Sequence, residues 1–306
     1  MKAERQRTGS TDAVLEAVPN VSEGQDVAAI EAIGRAFARG CQLLDVHSDA
    51  DYGRSVFTLV GAPQELADGL VAGARETIAR IDVRGHNGVH PCIGALDVVP
   101  VVYLRPEQRA FAHDEALAVA NRLAGELSLP VFLYGELASS PERSERAFFR
   151  EGGIAELGER LERREVEPDF GPARLHPTAG GTLVAARPPL VAFNLELDTD
   201  DVDAARAIAA RVRETNGGLP GVRAIGVKLE RKRAVQLSMN VHDPFEVPLA
   251  AVVECVRREA DHDNVRVVGG EIVGLAPAAA LDGFPDDVPL RGFDEGSHLL
   301  ERRIGA

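Results

Sequence analysis

Residues 190–241 have the sequence LVAFNLELDTDDVDAARAIAARVRETNGGLPGVRAIGVKLERKRAVQLSMNV, and this stretch decides the fold class. LVAFNLEL (190–197) has the β-branched and aromatic composition of a strand, and residues 202–214 repeat apolar side chains at helical spacing. Two more strands are predicted at 222–229 and 234–241, on either side of the charged turn ERKR (230–233). A helix at 248–260 and a strand at 265–273 complete the order β-α-β-β-α-β.

The first half of the chain repeats this order. Strands are predicted at 14–18, 41–46, 55–60 and 96–104, and helices at 26–38 and 63–81. The stretch between the halves adds a helix at 114–127, a strand at 131–134, a helix at 155–164 and a proline- and glycine-rich hinge at 167–181. The prediction is an α+β fold with two ferredoxin-like βαββαβ subdomains, helices on one face of each sheet and a ligand cleft between them.

The expected domain organisation has three parts. Residues 1–13 are polar and are predicted to be a disordered tail. Residues 14–181 form the amino-terminal subdomain and residues 182–306 the carboxy-terminal subdomain.

Composition restricts the partners of this protein. The 306 residues contain 34 Lys plus Arg and 48 Asp plus Glu, so the formal net charge is -14. Such a surface repels phosphate backbones and anionic lipid, so neither nucleic acid nor membrane is an expected partner. The three cysteines, Cys41, Cys92 and Cys255, are far apart, which is typical of a reducing compartment. No signal-peptide pattern is present at the start of the sequence, and we expect a cytoplasmic protein.

The densest group of unusual residues is HNGVHPCIG (86–94), between the second helix and the next strand. His86 and His90 are four residues apart, a spacing that suits metal ligands on a helix, but Gly88 and Pro91 disfavour a helix here. No further ligand completes a recognisable set, so no metal site is predicted. A loop histidine that hydrogen-bonds to the backbone and a general acid or base both remain open. Pro91 favours His90 for the second role because it restrains the preceding backbone.

A second glycine-rich segment is PDFGPARLHPTAGG (168–181). Its glycines permit close approach of a ligand to the backbone, but the segment matches neither GxxxxGK[ST] nor GxGxxG. By composition alone a plain linker is favoured. The residues therefore predict a fold and one candidate histidine, and they do not predict a reaction.

A series of motifs, in this order, resembles the formiminotransferase domain family, which includes the domain fused to a cyclodeaminase in animals. The motifs are AVPNVSEG (17–24), LLDV (43–46), Arg54 with VFTLVG (56–61), HNGVHPCIGALD (86–97), LYGE (133–136), PDFGP (168–172), VAFN (191–194), QLSMN (236–240) and VGGEIVGL (268–275). They span nearly the whole chain from about residue 15 to residue 277. Many motifs in one order are far more specific than any one of them.

The resemblance implies a glutamate formimidoyltransferase, which transfers a formimino group from N-formimino-L-glutamate to tetrahydrofolate at the end of histidine degradation. It implies His90 as the catalytic residue, Arg54, His86 and Asn194 as substrate-binding residues, and tetrahydrofolate as acceptor substrate, without a metal. A homodimer is also implied, and the chain leaves no room for a cyclodeaminase domain. The folate-binding residues implied are consecutive: Gly171, Pro172, Ala173, Arg174, Leu175, His176, Pro177, Thr178, Ala179 and Gly180.

Several positions depart from the family's usual residues, and most of these changes remove charge. Asn87 and Val89 stand where the family has a basic residue and a glutamate, Cys92 stands for an arginine, and His47 stands for an acidic residue. Asp51, Tyr52 and Gly53 replace Ser-Thr-Asn before Arg54, and Arg187 is followed by Pro188 instead of a lysine. Each lost cation removes charge-assisted hydrogen bonds of about 1.5–3 kcal/mol to a dicarboxylate substrate. The alternative function is a folate- or pterin-binding paralogue with a changed substrate or no transferase activity. A structural dimeric scaffold is a weaker alternative.

Overall fold

The computed structural model describes residues 14–304, so the tail expected at 1–13 lies outside the described residues. The strands of this part of the chain are β1 (Leu15–Ala17), β2 (Asn20–Val21), β3 (Gln42–Asp49), β4 (Arg54–Gly61), β5 (Leu96–Val102), β6 (Val131–Leu133), β7 (Thr182–Arg187), β8 (Val191–Leu197), β9 (Val222–Leu229), β10 (Ala234–Val241) and β11 (Val267–Val273). Its helices are α1 (Val27–Phe37), α2 (Pro63–Arg80), α3 (Arg109–Leu127), α4 (Arg146–Arg150), α5 (Gly153–Glu162), α6 (Val202–Val212), α7 (Leu249–Asp261), α8 (Glu295–His298) and α9 (Leu300–Ile304). The protein is α+β, with two sheets and helices packed on them.

The first sheet has seven strands. β1 and β2 form one line interrupted at Pro19 and pair antiparallel with β4 on one side and β5 on the other, while β3 pairs antiparallel with β4. β7 and then β6 extend the sheet beyond β5 with parallel pairing. Helix α1 begins where the sequence predicts it, because the Asp26 carboxylate accepts a hydrogen bond from the Ala29 N–H at 3.0 Å.

The second sheet has four antiparallel strands in the order β11-β8-β10-β9. In sequence order this places the fourth strand beside the first, then the third, then the second. Helices α6 and α7 cover one face of the sheet, where alternate residues of β8 such as Phe193 and Leu195 are fully buried. On the opposite face, Ala192 and Asn194 line a pocket together with residues of the first sheet.

The expectation that helices cover one face of each sheet is wrong for the first sheet. Helices α2 and α3 pack on one face, whereas Phe149 of α4 and Leu157 of α5 pack on the other, against Leu183 and Ala185 of β7. The physical reason is that β5, β6 and β7 are parallel and apolar on both faces, so both faces need a cover.

The two sheets divide six residues later than the boundary expected after Gly181. Strand β7 pairs along its length with β5 and belongs to the first sheet, and β8 opens the second sheet at Val191. The chain then returns to the first sheet at its end. Leu275 and Leu300 pack on Leu44 and Val60, and the Arg303 guanidinium donates to the Leu44 carbonyl.

Candidate functional site

The site is built where the β3–β4 connection meets the loop that contains His90. Gly53 in this connection has φ +62°, a conformation that favours glycine, and Gly88 of the opposing loop lies against it. A Cβ atom at Gly88 would lie 2.2 Å from the Tyr52 carbonyl oxygen, so only glycine permits this approach. The Val89 N–H donates to the Asp51 carbonyl at 3.0 Å. Close packing of the two loops therefore sets His90 beside Arg54, the first residue of β4.

The Arg54 guanidinium and the His90 imidazole are in direct contact, through Nη1 and Nε2. A guanidinium can only donate hydrogen bonds, so Nε2 of His90 accepts, and the ring is neutral with its proton on Nδ1. Burial and the positive charges of Arg54, Arg150 and Arg146 hold the pKa of His90 well below its ordinary value. Burial also lowers the pKa of Arg54 to about 9, so the guanidinium remains charged at neutral pH. The pair consists of a neutral base and a fixed cation.

A buried carboxylate anchors the histidine loop from below. Asp97, which is 2% exposed, accepts a hydrogen bond from the Ile93 N–H at 2.9 Å through Oδ1. Its other oxygen forms an ion pair with Arg150 of α4. The loop and α4 are therefore held by one side chain, seven residues after His90.

A pocket between the sheets, which we call the inner pocket, has an empty volume of about 490 Å³. It is lined from the first sheet by His47, Asp49, Tyr52, Arg54, Val56 and His90, and from the second by Ala192, Asn194, Ser238, Met239, Asn240 and Val273. Asn194 is buried, and its amide donates to Glu271 at 3.4 Å. His47 lies 3.9 Å from the same carboxylate, which also faces Lys232 at 3.6 Å. Charged groups therefore crowd the β3 end of this pocket.

A second cavity, the arginine pocket, continues from Arg54 between the sheets and has an empty volume of about 550 Å³. Arg54, Arg146 and Arg187 line it, and within residues 14–304 none of the three has a carboxylate oxygen within 4.0 Å. Arg146 lies over the Tyr134 ring at 5.9 Å, and Arg187 donates to the Pro188 carbonyl at 2.9 Å. Burial lowers the pKa of both guanidinium groups. Three partly buried cations without counter-ions favour an anionic ligand.

A wider opening, the outer groove, reaches His90 from outside and has an empty volume of about 1120 Å³. Its lining combines Pro91 and His90 with residues of α4 and of the edge strand β9. The residues are His90, Pro91, Glu145, Arg146, Ala147, Arg150, Glu151, Arg213, Thr215, Arg223, Ala224, Ile225, Ser238 and Asn240. His90 thus lies where the inner pocket and the outer groove meet, and Arg54 where the inner pocket and the arginine pocket meet.

The structure brings four of the sequence-derived site positions together. His90, Arg54 and Asn194 line the inner pocket, and His86 lies behind them with its ring against Gly53. The His86 Nε2 atom is buried and has no hydrogen-bond partner among the described residues. Burial raises the pKa of the Cys92 thiol to about 11, so this side chain is protonated and not a nucleophile at neutral pH.

The ten residues from Gly171 to Gly180 do not line the inner pocket, the arginine pocket or the outer groove. His176 and Gly180 exchange backbone hydrogen bonds at 2.9 and 3.0 Å, and the Thr178 carbonyl accepts from the Val83 N–H. A Cβ atom at Gly171 would meet the Leu129 carbonyl oxygen at 2.2 Å. Close contacts with the first sheet and its flanking segments account for the glycines of this segment.

Sequence analysis did not single out Arg146, Arg150 or Asp97 as site residues, nor Glu16, which also lines the arginine pocket. Arg146 and Arg150 are four residues apart and so share a face of α4, which is a usable signal, but α4 is a helix of five residues without apolar periodicity. Asp97 ends the histidine-loop motif and is the one acid in the otherwise apolar strand β5, which is a usable signal. Nothing in the sequence marks Glu16 beyond its place in an apolar strand.

Neither a metal-binding cluster nor a membrane-spanning helix is present among the described residues. Within residues 14–304 no group of three or more His, Cys, Asp or Glu side chains is arranged to hold a metal ion. In the same part of the chain, no helix has both the length and the apolar character needed to cross a bilayer.

Models of one protein family match both halves of the chain. The model for the formiminotransferase domain, N-terminal subdomain, matches residues 14–187, and the model for the formiminotransferase domain matches residues 192–283. The glutamate formimidoyltransferase of Streptococcus pyogenes serotype M1 is 39% identical over 294 residues, covering 95% of this chain and 98% of that protein. The glutamate formimidoyltransferase of Thermoplasma acidophilum is 36% identical over 296 residues, covering 95% and 97%.

The formimidoyltransferase-cyclodeaminase of Rattus norvegicus is 42% identical over 281 residues, which cover 88% of this chain and 51% of that longer protein. With the two-sheet architecture, these matches define a transferase of the α+β class. More particularly, the chain belongs to the formiminotransferase family.

Proposed function

We propose that this protein transfers a formimino group from N-formimino-L-glutamate to tetrahydrofolate, the step that ends histidine degradation. The observation that carries the proposal is a neutral His90, in contact with Arg54, next to a pocket with three arginines that form no ion pair with a carboxylate of residues 14–304. The names of the relatives from Streptococcus pyogenes and Thermoplasma acidophilum support it.

The charge of the arginine pocket fits the donor. N-formimino-L-glutamate has two carboxylates, and Arg54, Arg146 and Arg187 supply cations that have no carboxylate oxygen within 4.0 Å among residues 14–304. These arginines compensate for the cations that the sequence lacks around His90. The outer groove, which is wider and open, suits the larger folate, whose reactive nitrogen then meets the donor at His90.

His90 supplies the proton transfers. The folate nitrogen attacks the formimino carbon, and the neutral imidazole accepts the proton that this nitrogen loses as the tetrahedral adduct forms. The imidazolium then donates the proton to the departing amine of glutamate, and the C–N bond to glutamate breaks. A pKa below the ordinary value keeps the imidazole neutral and ready as a base, and makes its conjugate acid a strong donor.

Arg54 links donor binding to this proton transfer. In the ligand-free protein the Arg54 guanidinium occupies Nε2 of His90, the atom that must accept the proton. A donor carboxylate is a stronger acceptor than a neutral imidazole, because the hydrogen bond then joins two opposite charges. Donor binding would draw Arg54 away and free Nε2 when the substrate is in place.

The proposal also includes the topology of the two subdomains, the acceptor substrate, the oligomeric state and the cellular compartment. The second sheet has the strand order β11-β8-β10-β9. The first sheet contains a matching order, in which β5 is followed by the line formed by β1 and β2, then by β4 and then by β3. Both orders support two ferredoxin-like subdomains with a ligand cleft between them. Tetrahydrofolate is proposed as the acceptor substrate, and the setting as a cytoplasmic homodimer. Light scattering of the purified protein tests the dimer.

The proposed activity is tested by incubating the protein with N-formimino-L-glutamate and tetrahydrofolate and following formimino-tetrahydrofolate and glutamate by mass spectrometry. His113→Ala is a matched control, because His113 lies on α3 outside the three cavities. Its imidazole is hydrogen-bonded to the Glu136 carboxylate at 2.7 Å. We expect turnover by the wild type and by this control. Folate binding without turnover would instead favour the folate-binding paralogue.

A further inference from the structure

The β3–β4 connection, residues 50–53, lies between the second sheet and the loop that contains His90. Two consecutive N–H groups of that loop bond to the connection. The Val89 N–H donates to the Asp51 carbonyl at 3.0 Å, and the next N–H, that of His90, donates to the Tyr52 carbonyl at 3.4 Å. The backbone of the proposed catalytic residue is therefore attached to this connection and depends on its position.

The same connection is held from the other side by the β9–β10 turn, residues 230–233 of the second sheet. Each carboxylate oxygen of Asp51 accepts a backbone N–H of this turn, that of Arg231 at 3.0 Å and that of Lys232 at 3.2 Å. The Lys232 ammonium also forms an ion pair with Asp49, the last residue of β3, at 2.7 Å. Asp51 therefore lies at the centre of a contact between the two sheets.

Tyr52 adds an apolar part to this contact. Its side chain is 6% exposed and packs with Val227 and Leu229 of β9, and its hydroxyl donates to Gln236 of β10 at 3.4 Å. The ring thus lies on the second sheet, while the carbonyl of the same residue accepts the N–H of His90. Two neighbouring residues of the connection, and not one alone, join the second sheet to the histidine loop.

We propose that Asp51 is a positioning residue: by accepting the two N–H groups of the β9–β10 turn, it lets the second sheet hold the His90 loop in place beside the inner pocket. Asn194 and Asn240 line this pocket from the same sheet. Proton transfer needs accurate placement, because a misplacement of about 1 Å can cost about a hundredfold in rate. Asp51 lines none of the three cavities, so it acts through His90 and not through the ligand. This role rests on the proposed function, in which His90 transfers the proton.

Asp51→Ala tests this role, because it removes both acceptors of the turn but keeps the carbonyl that bonds to the Val89 N–H. We expect kcat for formimino transfer to fall about tenfold or more, while the KM for N-formimino-L-glutamate changes by less than about threefold. Asp51→Asn keeps one acceptor oxygen and should show the same split between kcat and KM, with a smaller fall in kcat. This milder variant decides the question if Asp51→Ala does not fold.

Hydrogen–deuterium exchange of the full chain measures the loop directly. In Asp51→Ala, peptides that cover residues 86–92 should exchange about tenfold faster than in the wild type, since loss of two hydrogen bonds makes local opening more frequent. Asp198→Ala is the matched control. The Asp198 carboxylate accepts the Arg266 N–H at 2.6 Å within the second half of the chain, outside the three cavities. This variant should keep the wild-type kcat and the wild-type exchange of the loop.

The positioning role and the transferase activity can fail separately. Transfer by the wild type, combined with a wild-type kcat in both Asp51 variants, would keep the activity and overturn the role of Asp51. A rise in the donor KM as large as the fall in kcat, or unchanged exchange of residues 86–92 in Asp51→Ala, would overturn that role as well. Absence of transfer by the wild type, with faster loop exchange in Asp51→Ala, would reject the activity and leave Asp51 as a structural tie only.

Discussion

Removal of the Asp97 charge should destabilise the protein strongly, because Asp97 is the counter-ion of a buried arginine. The side chains of Asp97 and Arg150 are 3% and 11% exposed, so solvent screens this pair little. Asp97→Asn keeps an acceptor for the Ile93 N–H but leaves the Arg150 guanidinium without its counter-ion. Loss of one partner of a buried pair costs about 3–5 kcal/mol in the free energy of unfolding. Urea unfolding followed by circular dichroism measures this loss.

Arg150→Met completes a double-mutant cycle. This variant should lose a similar amount, since it leaves the Asp97 carboxylate buried with one hydrogen bond. The double variant should lose less than the sum of the two single variants by about 2 kcal/mol or more, because it leaves no unpaired charge. Asp203→Asn, which breaks the exposed pair with Arg206 on α6, is the control and should leave the midpoint unchanged. Additive single effects would refute the view that Asp97 and Arg150 act as one buried unit.

Four further predictions concern the site. His90→Ala should lower single-turnover transfer by about 10²–10⁴-fold while folate still binds, whereas His86→Ala should show a smaller rate loss or a binding defect; transfer at the wild-type rate by His90→Ala would reject the mechanism. Arg54→Lys should raise the KM for the amino-acid donor far more than the KM for folate, because lysine cannot hold a carboxylate through two parallel hydrogen bonds, and steady-state kinetics with equal effects on both would contradict this. The acidic limb of kcat/KM should lie below pH 6.5, because the pKa of His90 is lowered and the imidazole stays neutral until that pKa is reached; a pH–rate profile with its limb above 6.5 would contradict the neutral base. A reduced folate should raise the melting temperature of the wild type in a thermal shift assay, and Thr178→Ala should keep this shift, because the segment from Gly171 to Gly180 lies outside the three cavities.

Local sequence patterns were sufficient to predict most of the strands and helices. The predicted strands at 222–229 and 234–241 coincide with β9 and β10, because alternating apolar residues on both sides of a charged turn allow one register. Strand β7 was missed because TLVAAR follows a glycine-rich segment and has no hairpin partner; its pairing with β5 joins residues more than eighty positions apart. Helices on the second face of the first sheet follow from that parallel pairing and could not be foreseen without it.

The sequence likewise predicted some of the site residues but not how they are brought together. His90 and Arg54 were both named from the sequence, but their contact depends on two glycines that let separate loops touch, and spacing along the chain does not show this. The arginine pocket takes Arg54 from β4, Arg146 from α4 and Arg187 from β7. Each of these looks like an ordinary surface arginine in its own segment. Only the assembled sheets show that they share one cavity and that, in the described part of the chain, no carboxylate oxygen lies within 4.0 Å of them.

The return of the chain to the first sheet has a consequence for biosynthesis. Leu44 and Val60 leave the ribosome early, but Leu300, which covers them, is made some 240 residues after Val60. The apolar patch formed by Leu44 and Val60 on the first sheet therefore stays exposed to solvent while the second half of the protein is translated. Nascent chains halted near Arg187 should expose that patch to chaperones, whereas chains in which the segment up to Ile304 has folded onto the first sheet should not. Synthesis of the segment that contains Leu275 and Leu300, and not completion of the first sheet, therefore ends the period in which this patch promotes aggregation.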